Sequence, residues 1–197
     1  TVVVGVDVDQ KIVERAQRIY GAENLSFQSG DATQPLAFDT DSFDVVVSFE
    51  TIEHIQEQDA FLSEIRRVLK PEGIFFVSTP DRCHIESQTT VNPFHARELS
   101  EEEFRTILAP HFAAVRLHYQ RTFIGSVFSD ADGRFNGDHA FYERDGFLDY
   151  HMTDRVRAPR YMLAVCGQTL PPLPSSMLHD GQIIGDLHAR LAKQTES

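Results

Sequence analysis

The chain of 197 residues has the length of one domain, and its composition, 41% hydrophobic and 24% charged, is typical of a globular protein. Thirty acidic residues against 18 basic ones give a formal net charge of −12. Nucleic acids and anionic membrane surfaces are bound through Lys and Arg, so neither is an expected partner. The sequence shows no run of apolar residues long enough to span a bilayer and no signal-peptide pattern, and Cys83 and Cys166 are too far apart to suggest a disulfide framework or a metal site. We therefore predict a reduced, cytoplasmic protein.

The first 80 residues alternate between strand and helix patterns. A β-branched strand over residues 2–6, apolar enough to be buried on both faces of a sheet, is followed by Asp9 as the N-cap of a helix that ends at Gly21. The helix places three apolar side chains on one face: Ile12, Ala16 and Ile19. A short strand within residues 24–32 comes next. This order predicts a βαβ unit with a parallel sheet.

The pattern repeats over residues 43–80. An apolar strand, "FDVVVSF", precedes a helix over residues 57–73, which has apolar residues at a spacing of four and is expected to end at Pro71 and Gly73. The apolar residues of this helix are Phe61, Ile65 and Leu69. A further strand, "GIFFVST", ends before Pro80. Together the two units predict an α/β fold with a doubly wound sheet.

The second half is less regular. Ser100 and Glu103 form a capping box at the start of a helix over residues 99–112, and strands are predicted over residues 113–123 and 160–167. Residues 124–152 show no period, which indicates either a segment that covers an active site or a loop of low order. We expect one domain over residues 1–170. A Pro-rich connector and a short amphipathic helix follow over 171–197, and this helix is a candidate contact for an oligomer or a further domain.

Two acidic residues follow the first two strands. Ligands of open α/β sheets bind at the carboxyl ends of the strands. Asp7 is suited to accept hydrogen bonds from the two hydroxyls of a ribose, although it or Asp9 could instead only cap the helix, a role that Asp9 fits better. Asp31 is suited to an exocyclic amine, with a simple Gly-Asp turn as the alternative. The two acids together favour an adenosine ligand.

The motifs "VVVGVDVDQKIVERAQ", "GDA", "FDVVVSFETIEHI" and "EIRRVLKPEGIFFVSTP", in this order and spacing, resemble those of class I S-adenosylmethionine-dependent methyltransferases of the small-molecule type. The resemblance implies a Rossmann-like, mostly parallel sheet with an antiparallel final strand. It also implies S-adenosyl-L-methionine as cofactor and S-adenosyl-L-homocysteine as product. The stretches "NPFHARELSEEEF" and "APRYMLAVCG" are similar, less specifically, to bacterial glycan-modifying and sugar-modifying members.

The resemblance also implies roles for individual residues. Asp7 is expected to bind the ribose, and Val8 to contact the adenine ring. Asp31 and Ala32 are expected at the adenine amine and ring nitrogen, and Ser48 and Phe49 at the methionine portion. Glu53 and His54 are expected beside the acceptor, a small molecule or a sugar. The family's first strand, first helix and glycine-rich loop have no counterpart here, which indicates a fragment of a longer protein or a variant without that loop.

Methyl transfer from a sulfonium depends mainly on alignment, and a hydroxyl acceptor also benefits from a general base. His54 is the first candidate for this base and His95 the second; alternatively His54 only lines a wall, and Glu53 binds an acceptor hydroxyl or amine. No metal is predicted, because the acidic stretch that resembles a calcium loop has Arg134 and Phe135 at positions that require an oxygen ligand and glycine. Two other functions stay open: a nicotinamide-dependent oxidoreductase and a non-catalytic scaffold with a methyltransferase-like fold.

Overall fold

The computed structural model describes residues 1–85, 92–120, 141–145, 149–153 and 159–170. The connector and helix expected over 171–197 lie outside the described residues. The first half contains the predicted strands and helices. They are β1 (Val3–Asp7), α1 (Gln10–Tyr20), β2 (Leu25–Ser29), β3 (Phe43–Phe49), a 3-10 turn (Ile52–His54), α2 (Gln58–Val68) and β4 (Leu69–Pro80). The second half adds α3 (Arg82–Ile85), α4 (Glu101–Leu108), β5 (Ala114–Gln120), β6 (Phe141–Asp145), β7 (Asp149–Thr153) and β8 (Tyr161–Gly167).

Helix capping follows the sequence closely. The Asp9 carboxylate accepts a hydrogen bond from the Lys11 amide and starts α1, and Gly21 ends it. At α4, the Ser100 hydroxyl accepts from the Glu103 amide while the Glu103 carboxylate accepts from the Ser100 amide. Both N-caps are confirmed, because each side chain satisfies a backbone amide that has no partner within the helix.

The end of α2 differs from its prediction. The helix ends at Val68, before Pro71, and both Pro71 and Gly73 lie within β4. The pairing of β3 with β4 shifts there, from Phe43 opposite Leu69 to Val45 opposite Ile74. The extra residues of β4 form an irregularity in the strand, a place where a proline without an amide hydrogen is tolerated.

The largest sheet has the strand order β3-β4-β8-β5. Its β3 and β4 are parallel, and β8 is antiparallel to both β4 and β5, so the expectation of an antiparallel final strand is confirmed and the sheet is mixed. A separate parallel pair is formed by β1 and β2. The antiparallel pair of β6 and β7 lies almost entirely within residues 124–152, where no strand was predicted; β6 shows no alternation of apolar and polar residues, and the alternation in β7 is only five residues long.

The core lies between the four-stranded sheet and the helices α2 and α4. Phe61, Ile65 and Leu69 are buried as predicted. They belong to one cluster with side chains of β4, β8 and α4, among them Phe75, Val77, Met162, Ala164, Phe104 and Leu108. None of the helices within the described residues is both long and apolar enough to cross a membrane.

The β1–β2 pair is much less covered than predicted. Only Val13 of α1 is buried, whereas Ile12 and Ile19 of the predicted apolar face are about half exposed. Val3 and Val6 of β1 are exposed as well, so β1 is not buried on both faces. The reason is that a two-stranded sheet offers α1 only a narrow surface, and among the described strands β1 pairs with β2 alone.

Candidate functional site

The carboxyl ends of β1 and β2 bring two of the predicted cofactor residues into neighbouring loops. Asp7 lies opposite Ser29 in the parallel register, and the Gly30 amide donates to the Asp7 carbonyl over 3.0 Å. The Asp7 carboxylate accepts a hydrogen bond from the Asp9 amide at 2.8 Å through Oδ1. The structure thus separates the two acids: Asp9 caps α1, while Asp7 remains exposed at the strand end. Val8, between them, is 75% exposed.

Asp31 starts a tight turn just beyond β2. Its Oδ1 accepts from both the amide and the hydroxyl of Thr33, at 2.9 and 2.7 Å. These two hydrogen bonds hold the pKa of the Asp31 carboxyl below its usual range, since both stabilise the charged form. The neighbouring Ala32 is partly buried against the main core. The Gly-Asp turn that the sequence offered as the alternative is therefore present. Its side-chain hydrogen bonds fix the carboxylate through Oδ1 and do not use Oδ2.

The end of β3 carries Ser48, Phe49 and an unusual Glu50. Phe49 is 56% exposed, and Glu50 has a φ of 51°, in the left-handed region that non-glycine residues seldom adopt. Ser78 of β4 stabilises this turn, because its hydroxyl donates to Glu50 Oε1 at 2.7 Å and accepts from the Glu50 amide at 3.1 Å. Backbone strain of this kind is concentrated at functional sites. The sequence offered no signal for it.

Glu53 lies in the 3-10 turn after β3, and its side chain is almost fully buried, with 1% exposure. The Thr79 hydroxyl donates a long hydrogen bond of 3.4 Å to its Oε2. Burial raises the pKa of the Glu53 carboxyl, although a backbone hydrogen bond opposes that effect. A carboxylate this deeply buried is costly unless it has partners or a function.

Residues 92–99 form a loop that is tied to the 3-10 turn. The amides of Ala96 and Arg97 both donate to the Glu53 carbonyl, at 2.8 and 3.0 Å. The Gln58 amide group donates to the carbonyls of Ile52 and Arg97 and so joins the turn to the loop. These bonds place His95 beside His54, although 40 residues separate the two in the chain.

The two imidazoles are in edge-to-face contact, with ring centroids 4.9 Å apart. His54 Nδ1 bonds to the Phe94 carbonyl at 2.9 Å. His95 Nδ1 bonds to Glu98 Oε1 at 2.5 Å, and the Asn92 side-chain amide lies 2.8 Å from its Nε2. Both histidines were predicted from the sequence but Asn92 and Glu98 were not, although both lie in the stretch "NPFHARELSEEEF".

The residues at the ends of β1 and β2 suit an adenosine group. In both Asp7 and Asp31, a hydrogen bond to one carboxylate oxygen fixes the orientation of the other oxygen. Carboxylates accept strong hydrogen bonds from ribose hydroxyls and from amines. Exposed Val8 and partly buried Ala32 are apolar neighbours of the two acids in the chain. The donor and acceptor set therefore fits the adenosine part of S-adenosylmethionine.

Comparison with known proteins supports the resemblance found in the sequence. Residues 1–77 match the family described as a methyltransferase domain. This confirms the resemblance to class I S-adenosylmethionine-dependent methyltransferases, and the cofactor of that class agrees with the acidic residues at the strand ends. The match includes every cofactor and acceptor residue predicted above, and it ends before His95.

Curated relatives agree with this class. A probable S-adenosylmethionine-dependent methyltransferase of Mycolicibacterium smegmatis is 39% identical over 108 residues, which are 54% of this chain and 41% of that protein. The ubiquinone biosynthesis O-methyltransferase of Bartonella tribocorum is 33% identical over 81 residues, or 41% of this chain and 33% of that protein. The chain thus spans about two fifths or less of the length of these relatives.

Solved structures support the fold. A structure from Thermotoga maritima, described as a methyltransferase and possible histamine N-methyltransferase, superposes with a TM-score of 0.57 at 17% identity and covers 84% of this chain and 72% of its own. The YcgJ protein of Bacillus subtilis gives a TM-score of 0.53 at 18% identity, covering 84% and 82%. At such identities the likeness concerns the fold alone, and it confirms the Rossmann-like α/β architecture.

Proposed function

We propose that the protein is an S-adenosylmethionine-dependent methyltransferase that methylates a small molecule or a sugar, at oxygen. One observation supports this above the others. In the segment that matches the methyltransferase family, β1 ends on Asp7 and Asp31 follows two residues after the neighbouring parallel strand β2. An oxidoreductase that uses a nicotinamide cofactor would leave the Glu53–His54 pair without a role.

In this proposal Asp7 binds the ribose hydroxyls, and Asp31 with the Ala32 amide binds the adenine edge. The hydrogen bonds to the Asp9 amide and to Thr33 hold the two carboxylates in place before the ligand arrives. Val8 packs against the adenine ring, and the backbone of Ser48 and Phe49 lies toward the methionine portion. Preorganised groups of this kind lose little conformational entropy on binding.

The bound cofactor supplies a methyl group that is already activated as a sulfonium. The chain's own residues then have to position the acceptor and take up its proton. His54 is better suited to accept this proton than His95. Its side chain is 42% exposed and its Nδ1 is engaged by the Phe94 carbonyl, which leaves Nε2 available. Both nitrogens of His95 have partners, so His95 is proposed to position His54.

Oxygen is the proposed target because a hydroxyl has to give up its proton to a base during methylation, whereas most neutral amines can attack without one. The O-methyltransferase relatives support the same choice, although this chain covers only a third of their length. A sugar hydroxyl fits the less specific resemblance of the 92–104 stretch to sugar-modifying enzymes. Buried Glu53 would bind a second hydroxyl of the acceptor.

Calorimetric titration with S-adenosylmethionine and S-adenosylhomocysteine tests the cofactor site. Asp7→Ala should weaken both ligands by about 10- to 150-fold, since each charge-assisted hydrogen bond contributes about 1.5–3 kcal/mol. Asp44→Asn is the matched control: Asp44 is an exposed acid near the amino end of β3, paired with Lys70, and should not change affinity. Equal affinities of the wild type and Asp7→Ala would contradict the ribose role. Absence of binding by the folded wild type would favour the scaffold alternative.

A further inference from the structure

Glu53, His54 and His95 form a cluster that the sequence analysis did not anticipate. One ligand atom from each of the three side chains can be chosen so that all lie within 4.8 Å of one another. His54 Nε2 is 3.9 Å from Glu53 Oε1. Two of the residues come from the 3-10 turn and the third from the loop that is hydrogen-bonded to it. Folding alone creates the cluster, and sequence spacing does not reveal it.

The hydrogen bonds of the two imidazoles fix which nitrogen is available. A carbonyl oxygen can only accept, so His54 Nδ1 carries the hydrogen that it donates to the Phe94 carbonyl, and the lone pair of the neutral ring is on Nε2. His95 is held in the same sense, with Nδ1 donating to Glu98 and Nε2 accepting from the Asn92 amide. Histidines that bind metals generally donate their other N–H to a carbonyl or carboxylate in this way.

We propose that Glu53, His54 and His95 bind one divalent transition-metal ion of the Zn²⁺ class. Two imidazoles and one carboxylate form a ligand set that Zn²⁺ accepts with a fourth position left open, whereas Mg²⁺ and Ca²⁺ prefer oxygen ligands. The buried Glu53 carboxylate supplies the negative charge, and among the described residues the side-chain hydrogen bond it accepts is a long one, from Thr79. This proposal replaces the sequence-based expectation of no metal.

The cluster has to contract to bind the ion. Ligand atoms at about 2.1 Å from a tetrahedral metal stand about 3.4 Å apart, compared with 3.9 Å between Glu53 Oε1 and His54 Nε2 and with separations of up to 4.8 Å in the whole set. His54 is the most exposed of the three side chains and can move toward the buried carboxylate. His95 would exchange its hydrogen bond with the Asn92 amide for a bond to the metal while its bond to Glu98 stays in place.

A metal in this position would also deepen the proposed function, on which this step rests. His54 Nε2 would then be a ligand and no longer a free base. The open metal position would bind the acceptor hydroxyl and lower its pKa, so that its proton would pass to solvent water instead of to an imidazole. Metal binding itself can be measured without cofactor or acceptor, so its outcome is independent of the methyl-transfer proposal.

The test is calorimetric titration of the chelator-treated full chain with Zn²⁺, together with Co²⁺ absorption spectra, which report the ligands directly. We expect one site of micromolar or tighter affinity. His54→Gln and His95→Gln should each weaken it at least about 100-fold, and Glu98→Gln, which only orients His95, about tenfold. His111→Gln is the matched control, because His111 also bonds to a carboxylate, that of Asp59, but belongs to no such cluster within the described residues.

Circular dichroism of each variant separates a lost ligand from a lost fold, and His54→Gln, at an exposed ring, is the variant expected to fold normally. Loss of the site in folded His54→Gln and His95→Gln, with retention in His111→Gln, supports the proposal. It is overturned if the folded wild type binds no Zn²⁺ below about 100 μM, or if His54→Gln and His95→Gln bind Zn²⁺ as tightly as the wild type. In either case the histidine hydrogen bonds only hold the 92–99 loop on the turn.

Discussion

The two acidic residues at and just after the end of β1, Asp7 and Asp9, have different roles: one is proposed to bind a ligand and the other stabilises a helix. Asp7 and Asp9 are two positions apart and both exposed, yet Asp9 uses its carboxylate to cap α1, whereas Asp7 uses one oxygen to accept the Asp9 amide. A helix cap acts within the protein, and a strand-end carboxylate with a remaining oxygen can act on a ligand. The two acids should therefore respond differently to substitution.

Asp9→Ala tests this division. Because it leaves an amide of the first turn unsatisfied, it should lower the free energy of unfolding by about 1 kcal/mol, measured by denaturant titration. Its affinity for S-adenosylhomocysteine should stay within about twofold of the wild type, since Asp7 is unchanged. A folded Asp9→Ala protein that has lost this affinity would show that the roles of the two acids are reversed.

At the scale of elements, an ion pair holds the loop that follows β2 against α2. Glu64 Oε1 accepts from the Leu36 amide and from Arg67, and Arg67 also donates to the carbonyls of Leu36 and Phe38. The hydrogen bond from Arg67 is the main reason why the pKa of the Glu64 carboxyl lies below its usual value. The same loop begins with Asp31, so these hydrogen bonds from α2 help to hold the predicted adenine site in place.

Glu64→Gln should destabilise the protein by about 1–2 kcal/mol at neutral pH, less than for a fully buried pair because Arg67 is partly exposed. The folded-state pKa is lowered, so the contribution of Glu64 is complete above its unfolded value near 4.5 and is lost as the pH falls through the folded value. Urea titrations between pH 3 and pH 7 should therefore converge for wild type and variant at the acid end. The exposed pair of Asp44 and Lys70 provides the control, Asp44→Asn, which should change little. A difference that does not depend on pH would contradict the ion-pair account.

The elements also show how far sequence reasoning reached. β-branched runs, the Asp9 cap and the Ser100 capping box depend on local chemistry, and the structure confirms them. The position of polar residues at strand ends predicted Asp7 and Asp31 as site residues, because parallel strands align their carboxyl ends, and the family resemblance added the Glu53–His54 pair; these roles stay predictions. The backbone conformation at Glu50 is held by Ser78 of a distant strand, which no local pattern encodes. The contact of Glu98 with His95 spans only three residues but has no recognised sequence signature. The β6–β7 pair was missed because its strands are short and only β7 alternates polar and apolar residues.

For the whole molecule, the main feature is that the described strands form separate sheets. β1 and β3 are not paired with each other, and four of their valines are exposed: Val3, Val6, Val45 and Val47. Apolar strand edges of this kind are unfavourable in water.

The central claim is that the loops after β1, β2 and β3 bind the cofactor. The most direct test is the mapping of backbone amide NMR shifts of the ¹⁵N-labelled chain during titration with S-adenosylhomocysteine. The account predicts that the largest shifts occur at Val8, Ala32 and Phe49, with none at the far helix α4, and that Asp7→Ala requires much more ligand to reach them. Shifts confined to α4 and β5, or no shifts at saturating ligand in a folded chain, would contradict it.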